Sequence, residues 1–526
     1  MKFYIFKNDY LRPPQTDKLS VVYWRTSVKE YSGWFFDCIS RFGEIVPLDE
    51  KIREEELAGL LKTRDAIFLL PDNSMDIGID WRRVPRRILD LTLGRLLIPR
   101  NIYNSKIVPS AQIGLVSTKY QADRMKSYFG GLVPELRVFP PKIDTDFYTI
   151  PDAKQRLAAR RKEGIKEGQF HIVYAGRLIV TKGICQLIRT LDIWPIPGVI
   201  LTLVGNIDYQ AFMVFSFADH KTFQHFLNEE ILQRKARPWL RFRQAETKEE
   251  LRDLFWSADL FVNPSVHPDE NFGITPREAV SCGVPVVTTN FCGLKSLAEG
   301  MPWKGIDTYP THFGSRFSLR QLRDLLRKAY GELRLFGPQN YRRQVLKECD
   351  TAMSIKNLEE AILYLINKAP EAFLNDAKRR EWEIKKRLFN SSDLKFYQSY
   401  IEARTEFPKG AYIYGDRTFD PVLPMVQGIY SSRNAPPQIG KGSRWRGFSR
   451  IALWRHEKAV VEFGFPGPRI RRYTGKSWNS LIACLSRGKP QEYVFIPRDN
   501  MQVSLIQELV DLGYLVSDDI TRLKLI

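Results

Sequence analysis

Two glutamates, Glu270 and Glu278, stand with seven residues between them in the stretch DENFGITPREAVSCGVPVV, Asp269 to Val287. A carboxylate has several acceptor sites and suits sugar hydroxyls. Two at this spacing can hold two different sugar rings. Thr275-Pro276-Arg277-Glu278 also has the form of a capping box, with Thr at the N-cap, Pro first in the helix and Glu at the third position. Glu278 therefore has a structural reading beside the chemical one, whereas Glu270 lies in a loop. Further upstream, Ala175-Gly176-Arg177 ends an apolar run, and Lys182-Gly183 precedes a helical pattern. A strand, a short glycine-containing turn and a helix start make an anion site, because backbone N–H groups and the positive helix end meet there. Arg177 and Lys182 add two full charges. The sequence is neither a GxxxxGK[ST] phosphate loop nor a GxGxxG fingerprint. Its bland alternative is a surface turn with two solvated cations.

Apolar runs alternating with helical patterns must position these groups. Residues 1–150 give candidate strands at Lys2–Phe6, Glu44–Val46, Ala66–Leu70, Ile113–Ser117 and Leu136–Phe139, with helical stretches such as Glu50–Lys62 and Thr118–Tyr128 between them. Such alternation argues for a parallel sheet with crossovers. Residues 151–168 are charged and read as a surface helix or linker. A second α/β domain, 151–385, has strands at Phe170–Tyr174, Val199–Val204, Ala258–Val262 and Val284–Val287. Its helices are at Ile184–Leu191, Lys248–Phe255, Leu319–Leu333 and Ile355–Asn367. Polar groups gathered after Val262, in Asn263-Pro264-Ser265, lie where open α/β sheets bind ligands.

Composition narrows the partners. The chain has 526 residues, 80 Lys and Arg against 60 Asp and Glu, and a formal net charge of +20. So basic a surface favours polyanions: phosphorylated substrates, anionic headgroups or nucleic acid. Trp81–Arg100 carries six arginines and one acid, with leucines and isoleucines interleaved. It reads either as a basic amphipathic helix on an anionic membrane or phosphate-rich acceptor, or as a surface helix against its own sheet. Residues 390–526 read as an appended small domain. There Lys441–Lys476 has ten basic residues against two acids, mixed with aromatics such as Trp445, Phe448 and Trp454. That mixture suits stacking on bases or sugars, or a β-rich module whose aromatics are its core. The six cysteines are scattered with no CxxC pair, which points to reduced thiols in the cytoplasm. A signal peptide and an apolar run of membrane-spanning length are both absent from the pattern.

GRLIVTKG at 176–183, LTLVGN at 201–206, ADLFVNPS at 258–265, and Glu270/Glu278 followed by CGVPVV occur in one order. Together they resemble the retaining GT-B glycosyltransferases of family 4, which use sugar nucleotides. IGLVSTKYQADRMKSYFGG and LRVFPPKIDTDFY, within 113–148, extend the resemblance more weakly; it does not reach 390–526. The resemblance implies two Rossmann-like domains facing a cleft. It implies that Gly176, Arg177 and Lys182 bind the donor diphosphate, that Glu278 binds the ribose, and that Glu270 faces the donor sugar with the Phe272 and Gly273 amides. Arg243–Thr247 would lie near the base. Catalysis would rest on Glu270, Arg177 and Lys182, with no metal and no cofactor beyond the nucleotide-diphosphate sugar, since no DxD cluster stands out. Asp144-Thr145-Asp146 fits the domain exit, and Asp518-Asp519 is given no role. Two family features are missing: the glycine pair after the first strand, where NDYLRPPQTDK stands, and a histidine within 1–170. Asp72 or Asn73 is the substitute the sequence offers. His267 reads as a loop residue, and His220 and His225 are assigned nothing. The expected activity is sugar transfer to a glycan or lipid-linked acceptor, in the cytoplasm and at the inner membrane face if 81–100 attaches there. The rival readings are a nucleic-acid-modifying glycosyltransferase and a non-catalytic binder of sugar nucleotides or glycans.

Overall fold

The structure is a computed structural model. It describes residues 1–6, 30–31, 33–48, 59–60, 66–70, 86–90, 92, 113–129, 135–178, 182–205, 237–245, 247–267, 270–311, 314–332 and 337–367, with 432, 439–441, 443, 445–447, 450–454, 459–463, 469–472, 475–487, 493–511 and 515–517 in the C-terminal region. Asp72, Asn73, His220, His225, Asp518, Asp519, the stretch after Phe6 and most of 50–62 and 81–100 lie outside these residues. By contact the chain forms two compact units: Met1–Phe147 with Pro268–Ile274 and Arg343–Gln398, and Tyr148–His267 with Thr275–Arg342 and Ser399–Ile526.

The first unit is built on a parallel sheet of β1 (Lys2–Phe6), β2 (Glu44–Leu48), β3 (Ala66–Leu70), β4 (Arg87–Asp90), β5 (Ile113–Val116) and β6 (Glu135–Val138), in the order β2-β1-β3-β4-β5-β6. Its core joins Phe3, Ile5, Ile67, Ile88 and Leu115 to Phe35 and Ile39 from the helical residues before β2. Leu358, Ala361, Ile362 and Leu365 of the helix Thr351–Asn367 complete it.

β4 corrects the reading of Trp81–Arg100. Residues 87–90 are a strand between β3 and β5, not part of a surface or membrane helix. Arg86 and Arg87 are buried. Arg86 Nε donates to the carbonyl of Leu365 at 3.2 Å, a cation on one of the last carbonyls of a helix. Asp90 accepts from the Tyr31 hydroxyl at 2.8 Å and from the Thr92 N–H at 3.0 Å. Polar residues in a buried strand defeat a pattern reading, because burial is decided by partners that come from far along the chain.

The second unit holds β7 (Phe170–Ala175), β8 (Val199–Val204), β9 (Leu240–Arg243), β10 (Leu260–Asn263) and β11 (Val286–Thr288), all parallel, in the order β11-β10-β7-β8-β9. The order reverses between β7 and β10. Strand β7 is buried throughout, which is why it reads as a continuous apolar run. His171 is its polar exception. Its backbone N–H donates to Asp259 at 2.8 Å, and Asp259 also takes ion pairs from Arg156 at 2.6 Å and Arg160 at 2.9 Å. Its ring lies 3.2 Å (Nδ1) from the Ser257 carbonyl and 2.8 Å (Nε2) from the Thr202 hydroxyl. A neutral ring that donates from Nδ1 and accepts at Nε2 satisfies both.

The charged stretch 151–168 forms the helix Ala153–Lys162, capped reciprocally by Asp152 and Gln155. In the C-terminal region, Leu485–Arg487, Tyr493–Phe495, Trp445–Gly447 and Leu515–Ser517 form an antiparallel sheet with the helices Gly475–Cys484 and Asn500–Asp511. Arg450–Trp454, Ala459–Phe463 and Arg469–Arg472 form another.

Burial lowers the His171 pKa from 6.5 to about 4. The unfolded chain takes up the proton first, so stability is kept above pH ~6.5 and lost as pH falls toward ~4, by roughly 3 kcal/mol at most. Urea unfolding of wild type and His171→Gln across this range is expected to show that loss in wild type only. Equal losses in both would contradict it.

Candidate active site

At the C-terminal end of β7 the chain turns through Gly176, at φ 149°. The Gly176 N–H donates to Val204 O at 2.9 Å, and a Cβ on the neighbouring Gly205 would sit 1.9 Å from the Gly176 oxygen. Side chains are thus excluded where β7 and β8 end. The Tyr174 hydroxyl donates to the Arg177 carbonyl at 2.8 Å, which fixes the backbone that carries the first cation. Lys182 is 9% exposed. Gly183 is the N-cap of the helix Ile184–Ile193, at φ 74°, with no side-chain cap hydrogen bond. The first N–H groups of a helix lack intrahelical partners, so this end has the chemistry of an anion site.

The neighbouring strand β10 supplies the facing loop. A Cβ on Gly183 would lie 2.3 Å from the Pro264 oxygen, so Pro264 packs directly on the helix start. The Thr289 hydroxyl donates to the Ser265 carbonyl. His267 N–H donates to the Ser265 hydroxyl at 3.1 Å. The His267 ring, 2% exposed, meets Arg177, with Nη2 3.1 Å from Nε2. A guanidinium only donates; His267 therefore accepts, as the neutral ring with its proton on Nδ1. The residue expected to be an ordinary loop residue thus touches one of the two expected phosphate-binding cations. The available signal was its place four residues after the end of a strand that borders β7.

Glu270, Asn271 and Phe272 are all buried, at 6%, 4% and 3% exposure. They belong by contact to the first unit. There the Ser117 hydroxyl, just past β5, lies 2.8 Å from the Asn271 carbonyl and 2.9 Å from Gln121 Oε1, which also accepts the Ser117 N–H at 3.0 Å. Neither Ser117 nor Gln121 stood out in sequence. Gly273, at φ 77°, leads into the helix Ile274–Ser281, which from Thr275 on belongs to the second unit. That helix begins one residue before Thr275, which corrects the capping box: Thr275 and Pro276 are inside the first turn. Glu278 is half-buried on the helix, and burial first, then its charge, pushes up the Cys282 thiol. Arg277, fully buried, donates to Ser296 Oγ at 2.7 Å. In the region expected near a base, Arg243 pairs with Glu163, and Thr247 caps the helix Lys248–Ser257 through the Glu250 N–H at 3.1 Å. Asp144 accepts from the Phe147 N–H at 3.1 Å, a local turn. Among the described residues no group of three or more His, Cys, Asp or Glu is placed to hold a metal ion.

The strand-order reversal, the glycine turn with its two cations and the E-x7-E stretch fall on one segment of the chain. Residues 155–300 match the family of glycosyl transferases group 1. A D-inositol 3-phosphate glycosyltransferase of Paenarthrobacter aurescens is 30% identical over 198 residues, 37% of this chain and 45% of that protein. One from Mycobacteroides abscessus is 26% identical over 195 residues, 37% of this chain and 40% of that protein. The match thus spans less than half the length of these relatives. Among solved structures, Anabaena HepE in complex with UDP and glucose aligns over 68% of this chain and 98% of its own, with 16% identity and a TM-score of 0.47. A glycosyltransferase of Rickettsia africae aligns over 70% and 99%, with 12% identity and a TM-score of 0.47. The α/β expectation holds in the two parallel sheets, and no helix among the described residues is long and apolar enough to cross a membrane.

Gly183 is the most exacting position in this segment. Gly183→Ala would place a Cβ at left-handed φ and against the Pro264 backbone, so we expect a loss of about 2 kcal/mol or more. Chemical unfolding measures it; an unchanged midpoint would show that the helix start tolerates a side chain.

Proposed function

We propose that the protein is a retaining glycosyltransferase that moves a sugar from a nucleoside-diphosphate sugar to a glycan or lipid-linked acceptor. One observation carries the reading: the helix Ile184–Ile193 starts without a side-chain cap at the strand-order reversal, with Arg177 and Lys182 just before it. Ligands of open α/β sheets bind at such a reversal. The family match over 155–300 contains this segment and both glutamates.

Breaking the glycosidic bond leaves negative charge on the diphosphate. Fixed cations and a helix N-terminus stabilise that charge as it develops, without reorganisation at the moment of reaction. We assign this work to Arg177, Lys182 and the amides after Gly183, so that the reaction proceeds without a metal ion. Glu278 takes the ribose hydroxyls. Glu270 and the Phe272 and Gly273 amides take the donor sugar. Retention follows if the acceptor attacks an oxocarbenium-like sugar on the leaving-group face and a diphosphate oxygen receives the acceptor's proton. The relatives are named D-inositol 3-phosphate glycosyltransferases, and a net charge of +20 suits an acceptor that carries phosphate here. Attachment through a helix at 81–100 is not retained, because β4 occupies its middle.

Lys182→Ala and Glu270→Ala are each expected to lower release of nucleoside diphosphate from the sugar nucleotide by roughly 100-fold or more, with the melting temperature close to wild type. Wild-type turnover in either folded variant would remove that residue from the site.

A further inference from the structure

We propose that His267 is a positioning residue for Arg177, holding the guanidinium in place at the end of β7 for a diphosphate. The inference rests on the reading of Arg177 as a diphosphate ligand and adds a residue to which no role is otherwise assigned. Arg177 and His267 sit on the loops that follow β7 and β10, the two strands between which the sheet order reverses. Their side chains meet across those loops, with Arg177 Nη2 3.1 Å from His267 Nε2.

Both backbones are held independently. Tyr174 donates to the Arg177 carbonyl. His267 donates its N–H to Ser265 Oγ, and the Ser265 carbonyl is in turn held by Thr289 from the end of β11. An arginine side chain has much rotamer freedom to lose, and its planar fork binds phosphate well only when it is oriented. A buried imidazole that accepts one N–H removes part of that freedom before the ligand arrives. The neutral ring is what the contact requires, since guanidinium has no acceptor and a second cation at this distance would repel it. The bond therefore needs an acceptor at position 267, rather than a base or a proton donor.

The test measures calorimetric affinity for UDP, GDP, ADP and dTDP. It uses wild type, Arg177→Ala, His267→Leu, His267→Gln and the double variant Arg177→Ala/His267→Leu, each with a melting temperature to show that it is folded. For whichever nucleotide binds wild type, we expect His267→Leu to weaken binding roughly tenfold and His267→Gln, whose amide oxygen can accept, to recover most of that loss. In the double variant we expect no loss beyond that of Arg177→Ala, because residues that act through one contact are not additive. A purely structural histidine gives a different pattern, with an additive loss and no recovery by glutamine. Additive losses, equal weakening by Leu and Gln, or wild-type affinity in folded His267→Leu each overturn the proposal. If Arg177→Ala itself leaves affinity unchanged, or if none of the four nucleotides binds wild type, the underlying reading of the diphosphate site falls, and the positioning role falls with it.

Discussion

A helix that begins at Gly183 without a side-chain cap, beside a buried and a half-buried cation, is the constraint on which the rest of the second unit depends. The first amides of a helix have no intrahelical partner, and the backbone around this one excludes side chains nearby. Gly176, Gly183 and Gly205 all have positive φ. Two of them, Gly183 and Gly205, are places where a Cβ would strike backbone oxygen within 2.3 Å. The cost is borne by sequence choice: glycine in the turns, and Pro264 laid against the helix start. The strand order then does the placing, because the reversal between β7 and β10 sends their following helices to opposite faces and parts the loops above the strands.

Much of this was legible from residues alone. β8 falls at the expected Val199–Val204, β1 at Lys2–Phe6 and β3 at Ala66–Leu70, because buried parallel strands show as apolar runs with glycine or proline near their ends. Gly176 and Gly183 were legible for a related reason, since glycine next to a strand end or a helix start marks a backbone that approaches something closely. β4 was not legible. The arginines in and beside it pointed to a surface, and only the return of Thr351–Asn367 to the first sheet gives Arg86, just before β4, its partner in Leu365, 279 positions later. Thr275 was misplaced by two residues as a cap, since the helix starts at Ile274, the ordinary uncertainty of helix ends. His267 and Ser117 were missed because the contacts that set them apart are long-range, the one with Arg177 across two loops and the other with the Asn271 carbonyl, 154 positions away.

Buried polar groups divide by what satisfies them. His171, Thr202, Ser257 and Asp259 form a connected set around β7, where hydrogen bonds and ion pairs offset desolvation. Such a set fixes one register, since a one-residue slip would turn the histidine and its neighbours to the other face. The polar groups at the C-terminal ends of β7 and β10 are different. Arg177 and His267 meet there, and Lys182 precedes the start of the helix Ile184–Ile193. That contrast within a single sheet sets the connected polar set around β7 apart from the strand ends, to which the proposed function assigns the donor.

The most direct measurement is a crystal structure of the protein with a nucleoside-diphosphate sugar, taking UDP-, GDP-, ADP- and dTDP-glucose in turn. We expect diphosphate density at the start of the helix Ile184–Ile193, with oxygens in hydrogen-bond range of the amides after Gly183 and of Arg177 and Lys182. A nucleotide bound with its diphosphate elsewhere, and those amides hydrated, would contradict the central claim.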